Sequence, residues 1–121
     1  MPISVCLFIF TYGSVYAFTP VTTNIDRATI DIKTIIYYLK LFKAENYTYP
    51  TTNEGLQALI SNPNSDKYKN WRKHIKLLPT DPWGNKYKYV NSEVNNELKI
   101  FSFGPDGIQS KDDVGNWLLD K

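Results

Sequence analysis

Between Asn24 and about Glu45 the apolar residues Ile25, Ala28, Ile32, Ile35, Leu39 and Phe42 recur at alternating steps of three and four. That spacing lays one stripe along an α-helix, with Lys33 and Lys40 off the stripe. Thr23 or Asn24 is placed to cap its start, Asp26 favours the positive end of the helix, and Lys40 and Lys43 lie near the negative end. Asn46 is expected to close it. The stripe is too short to argue for a coiled coil on its own, and it predicts packing against a sheet.

The next periodic signals have a shorter wavelength. Asn85 to Val90 alternates polar and aromatic residues, and Glu97 to Phe103 is rich in strand formers. The turn-forming cluster Asn91 to Asn96 joins them, so the pair is predicted to be an antiparallel hairpin. Upstream, Thr51 and Glu54 have capping-box spacing for a short helix from Gly55 to Ile60, ended by Ser61-Asn62-Pro63. Residues 61–85 show no sustained period. They predict a long surface connection anchored by Trp71, Ile75, Leu77 and Leu78, in which Asp81-Pro82-Trp83-Gly84-Asn85 forms a rigid turn.

Composition adjusts this picture in three ways. A chain of 121 residues makes one small domain, in which a bound metal would add usefully to a limited core. Residues 26–92 carry eleven Lys and Arg against six Asp and Glu, whereas residues 93–121 carry three against six, so the net charge of +2 conceals an acidic end. Cys6 is the sole cysteine, so an intrachain disulfide is excluded, and a chain cleaved after Ala17 would have no thiolate for a metal either. The segment Met1 to Phe18 has no charged side chain, and Val15-Tyr16-Ala17 offers a cleavage site after Ala17. It is expected to be a signal peptide or a degenerate membrane anchor, leaving residues 19–121 as the exported domain.

Chemistry concentrates at the acidic end. Asp106, Asp112 and Asp113 stand among glycines directly after the second predicted strand, and carboxylates this close repel unless a cation lies among them. Calcium takes six to eight oxygens in flexible geometry, and Gly104 and Gly107 give the backbone freedom to fold round it. The spacing differs from that of an EF-hand, and a solvated acidic turn is the plain alternative. Lys67, Lys69, Arg72, Lys73 and Lys76 surround Tyr68 and Trp71, but a phosphate-binding surface conflicts with the low net charge and the acidic end. A solvated loop with its aromatic residues packed inward fits better. His74 is the sole histidine and has no nucleophile nearby in sequence, so no catalytic role is expected and no enzyme is read here.

Three segments in order carry a family resemblance: Tyr49 to Leu59, Leu78 to Tyr89, and Phe101 to Gly107 continuing through Asp112 to Trp117. Together they resemble the periplasmic domain of the major pseudopilin, the protein G family of the bacterial type II secretion system. The resemblance runs from about Ile25 to Trp117. It implies an α+β, pilin-like fold in which a long N-terminal helix packs on a small antiparallel sheet and a calcium loop closes the C-terminus. It also implies a structural role in a filament that helps move folded proteins outward, with other pseudopilin subunits or secretion-system components as partners, self-association among them. Nucleic acid is not an expected partner, and the membrane enters only through residues 1–18 if they are uncleaved. The family's side-chain ligands for calcium fall on Asp106, Asp112 and Asp113, and its backbone carbonyl ligands on Phe103 and Ile108. Met1 to Thr23 departs from the family pattern of basic leader, Phe and Glu after the cleavage site, and long apolar helix. The alternative is therefore an exported, soluble periplasmic binding or adaptor module that keeps this fold without polymerising.

Overall fold

In a computed structural model, residues 23–119 are described; Met1 to Phe18 and the cleavage site after Ala17 lie outside them. Helix α1 spans Asn24–Asn46. Its N-terminus is capped by Thr23, whose hydroxyl accepts a hydrogen bond from the Asp26 amide at 2.9 Å. Its end comes at Tyr47, which turns into the left-handed region (φ 67°) and donates its amide to the Lys43 carbonyl. The predicted stripe is the buried face: Ala28, Ile32, Ile35, Leu39 and Phe42 are essentially inaccessible. Ile25 differs, being 55% exposed. It belongs to the first turn of the helix, ahead of the stretch that the core covers.

Strands β1 (Lys88–Ser92) and β2 (Glu97–Ser102) form the expected hairpin, with Tyr89 opposite Ile100 and Asn91 opposite Leu98. The boundary is later than the sequence predicts, because Asn91 and Ser92 pair as strand and the turn is confined to residues 93–96. Thr52 explains the extension. Its hydroxyl accepts from the Asn91 amide at 2.9 Å and donates to the Asn91 carbonyl at 3.1 Å, holding the outer edge of β1 straight. A third strand, β3 (Val114–Gly115), pairs antiparallel with β2, with Ser102 opposite Val114. The order of the sheet is β1-β2-β3. Beyond β3 the Asn116 side chain continues the pairing, accepting from the Ile100 amide and donating to the Leu98 carbonyl.

One face of the sheet packs on α1, and Tyr89, Ile100 and Val114 join the helix stripe to form the core. Full burial of each large apolar side chain contributes roughly 1.5–3 kcal/mol. Tyr87 ties the layers together by donating its hydroxyl to Asp31 of α1 at 2.7 Å. Burial first, and the Asp31 carboxylate second, push its ionisation far above the ordinary tyrosine range.

The connection between helix and sheet is well anchored. Thr51 and Glu54 form the expected capping box, amide to side chain in both directions, but the helix it opens is a single 3₁₀ turn, Leu56–Leu59. Glu54 also accepts from the hydroxyl of buried Tyr68. Burial opposes its ionisation, yet these hydrogen bonds and nearby Lys67 prevail and lower its pKa. Trp71 donates its indole N–H to the Ala58 carbonyl at 2.6 Å, and His74 Nε2 lies 2.8 Å from Glu45 Oε1 at the end of α1. Trp71, Ile75 and Leu78 pack against the core as expected, whereas Leu77 is 81% exposed and is not an anchor. Among the described residues no helix is long and apolar enough to cross a membrane.

Candidate site in the C-terminal loop

The pairing of Ser102 with Val114 makes residues 103–113 a closed loop, because both of its ends are fixed in the sheet. It opens with a 3₁₀ turn, Gly104–Asp106, which Gly107 ends by donating its amide back to the Gly104 carbonyl. Gly104 has φ +78°, and a Cβ there would stand 2.8 Å from the carbonyl oxygen of Asp112. The first and last parts of the loop therefore touch at a point where only glycine fits.

Within the loop Ser110 is the hub. Its hydroxyl donates to Asp106 Oδ2 at 2.8 Å and accepts from the Asp112 amide at 3.2 Å. Its amide donates to Asp113 Oδ1 at 3.0 Å. Asp106 Oδ1 accepts in addition from the Ile108 amide at 3.2 Å, a side-chain turn that bends the chain two residues on. Asp106 and Asp113 are thus brought to one serine. The Asp112 carboxylate takes part in none of these bonds, although its backbone carbonyl lies against Gly104. Ile108 is 64% exposed, and the ring of Phe103 packs on Phe101 with the Lys88 ammonium 5.1 Å from its centre. In this conformation no group of three or more acidic or histidine side chains among the described residues converges at metal-binding spacing. The donor set nevertheless suits a hard cation in kind: three carboxylates and several carbonyls, all oxygen, on one loop with two exposed aspartates.

Two residues matter here that the motif does not reveal. Asp81, only 3% exposed, accepts from the Trp83 amide at 3.1 Å, the Asn85 amide at 2.8 Å and the Ser102 hydroxyl at 2.6 Å. Ser102, fully buried at the end of β2, accepts in turn from the Gly104 amide at 2.9 Å. Alternation along β2 does place Ser102 on the inward face beside Ile100, and a polar residue there signals an internal partner. The partner itself is 21 residues away in sequence.

A long helix laid on a small antiparallel sheet, completed by a Gly- and Asp-rich loop that bridges its last two strands, defines a pilin-like domain. Residues 19–117 match the family model for type II secretion system protein G. The type II secretion system core protein G of Klebsiella pneumoniae is 42% identical over 100 residues, covering 79% of this chain and 71% of that protein. Its namesake in Pectobacterium carotovorum is 40% identical over 100 residues, again 79% of this chain but 64% of the relative. The crystal structure of the major pseudopilin of the type 2 secretion system of enterohaemorrhagic Escherichia coli superposes with a TM-score of 0.72 at 37% identity, covering 79% of this chain and 84% of that one. The chain belongs to the type II secretion system protein G family, a structural family and not one of enzymes.

Proposed function

We propose that this chain is a structural subunit of a type II protein secretion system, exported to the periplasm, where it contacts other pseudopilin subunits or components of the machine. The observation that carries this reading is the continuous family match from residue 19 to residue 117, which spans the helix, the sheet and the C-terminal loop together. The outward face of α1 supports it: Ile30 and Tyr37, seven residues apart and so on one side of the helix, are 48% and 59% exposed. Packing of the basic loop weighs against the adaptor alternative, since Tyr68 and Trp71 are held by Glu54 and Ala58 and do not stand free to grip a partner.

Calcium stabilisation belongs to the same proposal. Asp106, Asp112 and Asp113 would hold the ion with their side chains, and Phe103 and Ile108 with their carbonyls. The bound ion supplies positive charge among like charges and ties the two arms of the loop. Binding to the folded loop alone adds about 2.7 kcal/mol when free calcium stands at 100 times Kd. Calcium is therefore expected to raise the Tm of the full chain by several degrees over a chelator control, and Asp112→Ala with Asp113→Ala should abolish the rise. Identical melting curves in calcium and chelator would sink the calcium part and leave the family assignment standing.

A further inference from the structure

We propose that Asp81 and Ser102 act as a positioning pair for the C-terminal loop, setting its base in the shape that a cation needs. This inference rests on the calcium reading above.

Neither residue belongs to the loop, and neither has a solvent role: Asp81 is 3% exposed and Ser102 is fully buried. A serine hydroxyl has one proton to give. Here the proton goes to Asp81 Oδ2, and that fixes the oxygen lone pairs toward the Gly104 amide. Gly104 is the residue whose left-handed backbone brings the start of the loop against the Asp112 carbonyl. The carboxylate therefore reaches the ligand-bearing segment through two hydrogen bonds. Asp81 Oδ1 meanwhile holds the Trp83 and Asn85 amides, so the carboxylate itself cannot swing away without undoing the turn at 81–85. That turn meets the loop again farther out, where a Cβ on Gly107 would lie 3.9 Å from Asn85 Nδ2. The loop is thus buttressed at its base and near Asp106 by one buried carboxylate, a role analogous to that of outer-shell groups orienting metal ligands.

The decisive variant is Asp81→Asn in the full chain. The amide keeps an oxygen for the two backbone donors but presents an N–H to Ser102, and this N–H competes with the Gly104 amide for the Ser102 oxygen. Ser102→Ala removes the link from the other side, so the test does not depend on one variant folding well; far-ultraviolet circular dichroism checks that each is folded. Two readouts are needed: calcium affinity by isothermal titration, and hydrogen exchange of the Gly104 amide without metal. Both variants are expected to weaken calcium binding by roughly tenfold or more, and to exchange the Gly104 amide faster than the unsubstituted chain. If the unsubstituted chain binds calcium and Asp81→Asn binds it equally well, the positioning role is overturned, whatever the exchange rate does. If the unsubstituted chain takes up no calcium, it is the calcium reading that has failed, and the cation role of the pair goes with it.

Discussion

The turn at residues 81–85 and the loop at residues 103–113 both depend on aspartate, yet they use the carboxylate in opposite ways. Asp81 is buried, and three protein donors occupy its two oxygens. Asp106 and Asp112 are exposed and Asp113 is half-buried, and their protein partners are few: a serine hydroxyl and amide, and one further backbone amide. An ionised carboxylate has about four lone-pair sites. Asp81 has most of them filled by the fold, whereas the loop aspartates keep room for further ligands. The difference teaches how to separate an aspartate used up by the fold from one with room for a further ligand: by the occupancy of its oxygens, which spacing in the sequence does not show.

The comparison breaks most visibly at Asp81. Asp81→Ala leaves two amides and a hydroxyl in the interior without an acceptor, and urea unfolding should show a loss of about 3 kcal/mol. A loss below about 1 kcal/mol would mean that the turn does not rest on this carboxylate. Next in size is Gly104→Ala, which combines a left-handed backbone with a 2.8 Å approach to the Asp112 carbonyl; a loss of about 2 kcal/mol is expected. Gly84→Ala sharpens the contrast, because Gly84 has φ +91° but nothing within 4 Å of its would-be Cβ. It should cost about 1 kcal/mol, and a cost equal to that at Gly104 would remove the argument that the loop closes by contact. The smallest effect lies outside both loops. The ionisation of Tyr87 is raised in the folded chain, so the contribution of its neutral hydroxyl is whole below the ordinary tyrosine pKa of about 10 and declines as pH rises past that value. Stability measured from pH 9 to 11 should fall, and Tyr87→Phe should flatten the fall; an unchanged slope would reject the role of this hydroxyl.

Much of the fold was legible because it is periodic. The steps of three and four from Ala28 to Phe42 specify a face, and the tyrosines at 87 and 89 specify the inner side of a strand. Strand β3 was not legible, since two residues carry no period and Gly115 carries no side chain. The exposure of Leu77 was not legible either, because apolar residues in an aperiodic segment have no assigned face. At the site the three aspartates could be named from their crowding and from the family resemblance. Their arrangement round Ser110 could not, because a serine that bonds side chain to backbone leaves no trace in spacing. The Asp-Pro-Trp-Gly-Asn segment was legible as a turn, and Asp81 closes it on the Trp83 and Asn85 amides, while the bond from Ser102 to the other oxygen of Asp81 depends on the chain having folded first.

Thr52 bears on what the border of the sheet leaves open to other chains. A strand at the border of a sheet offers unpaired amides and carbonyls that invite another chain to continue it. At Asn91 a single hydroxyl, that of Thr52, occupies both groups. An open border of this kind is prone to merge with another sheet into an irreversible aggregate. With both backbone groups of Asn91 engaged, the border offers one point fewer at which a foreign strand could add, and a chain that meets it there finds side chains in place of open backbone.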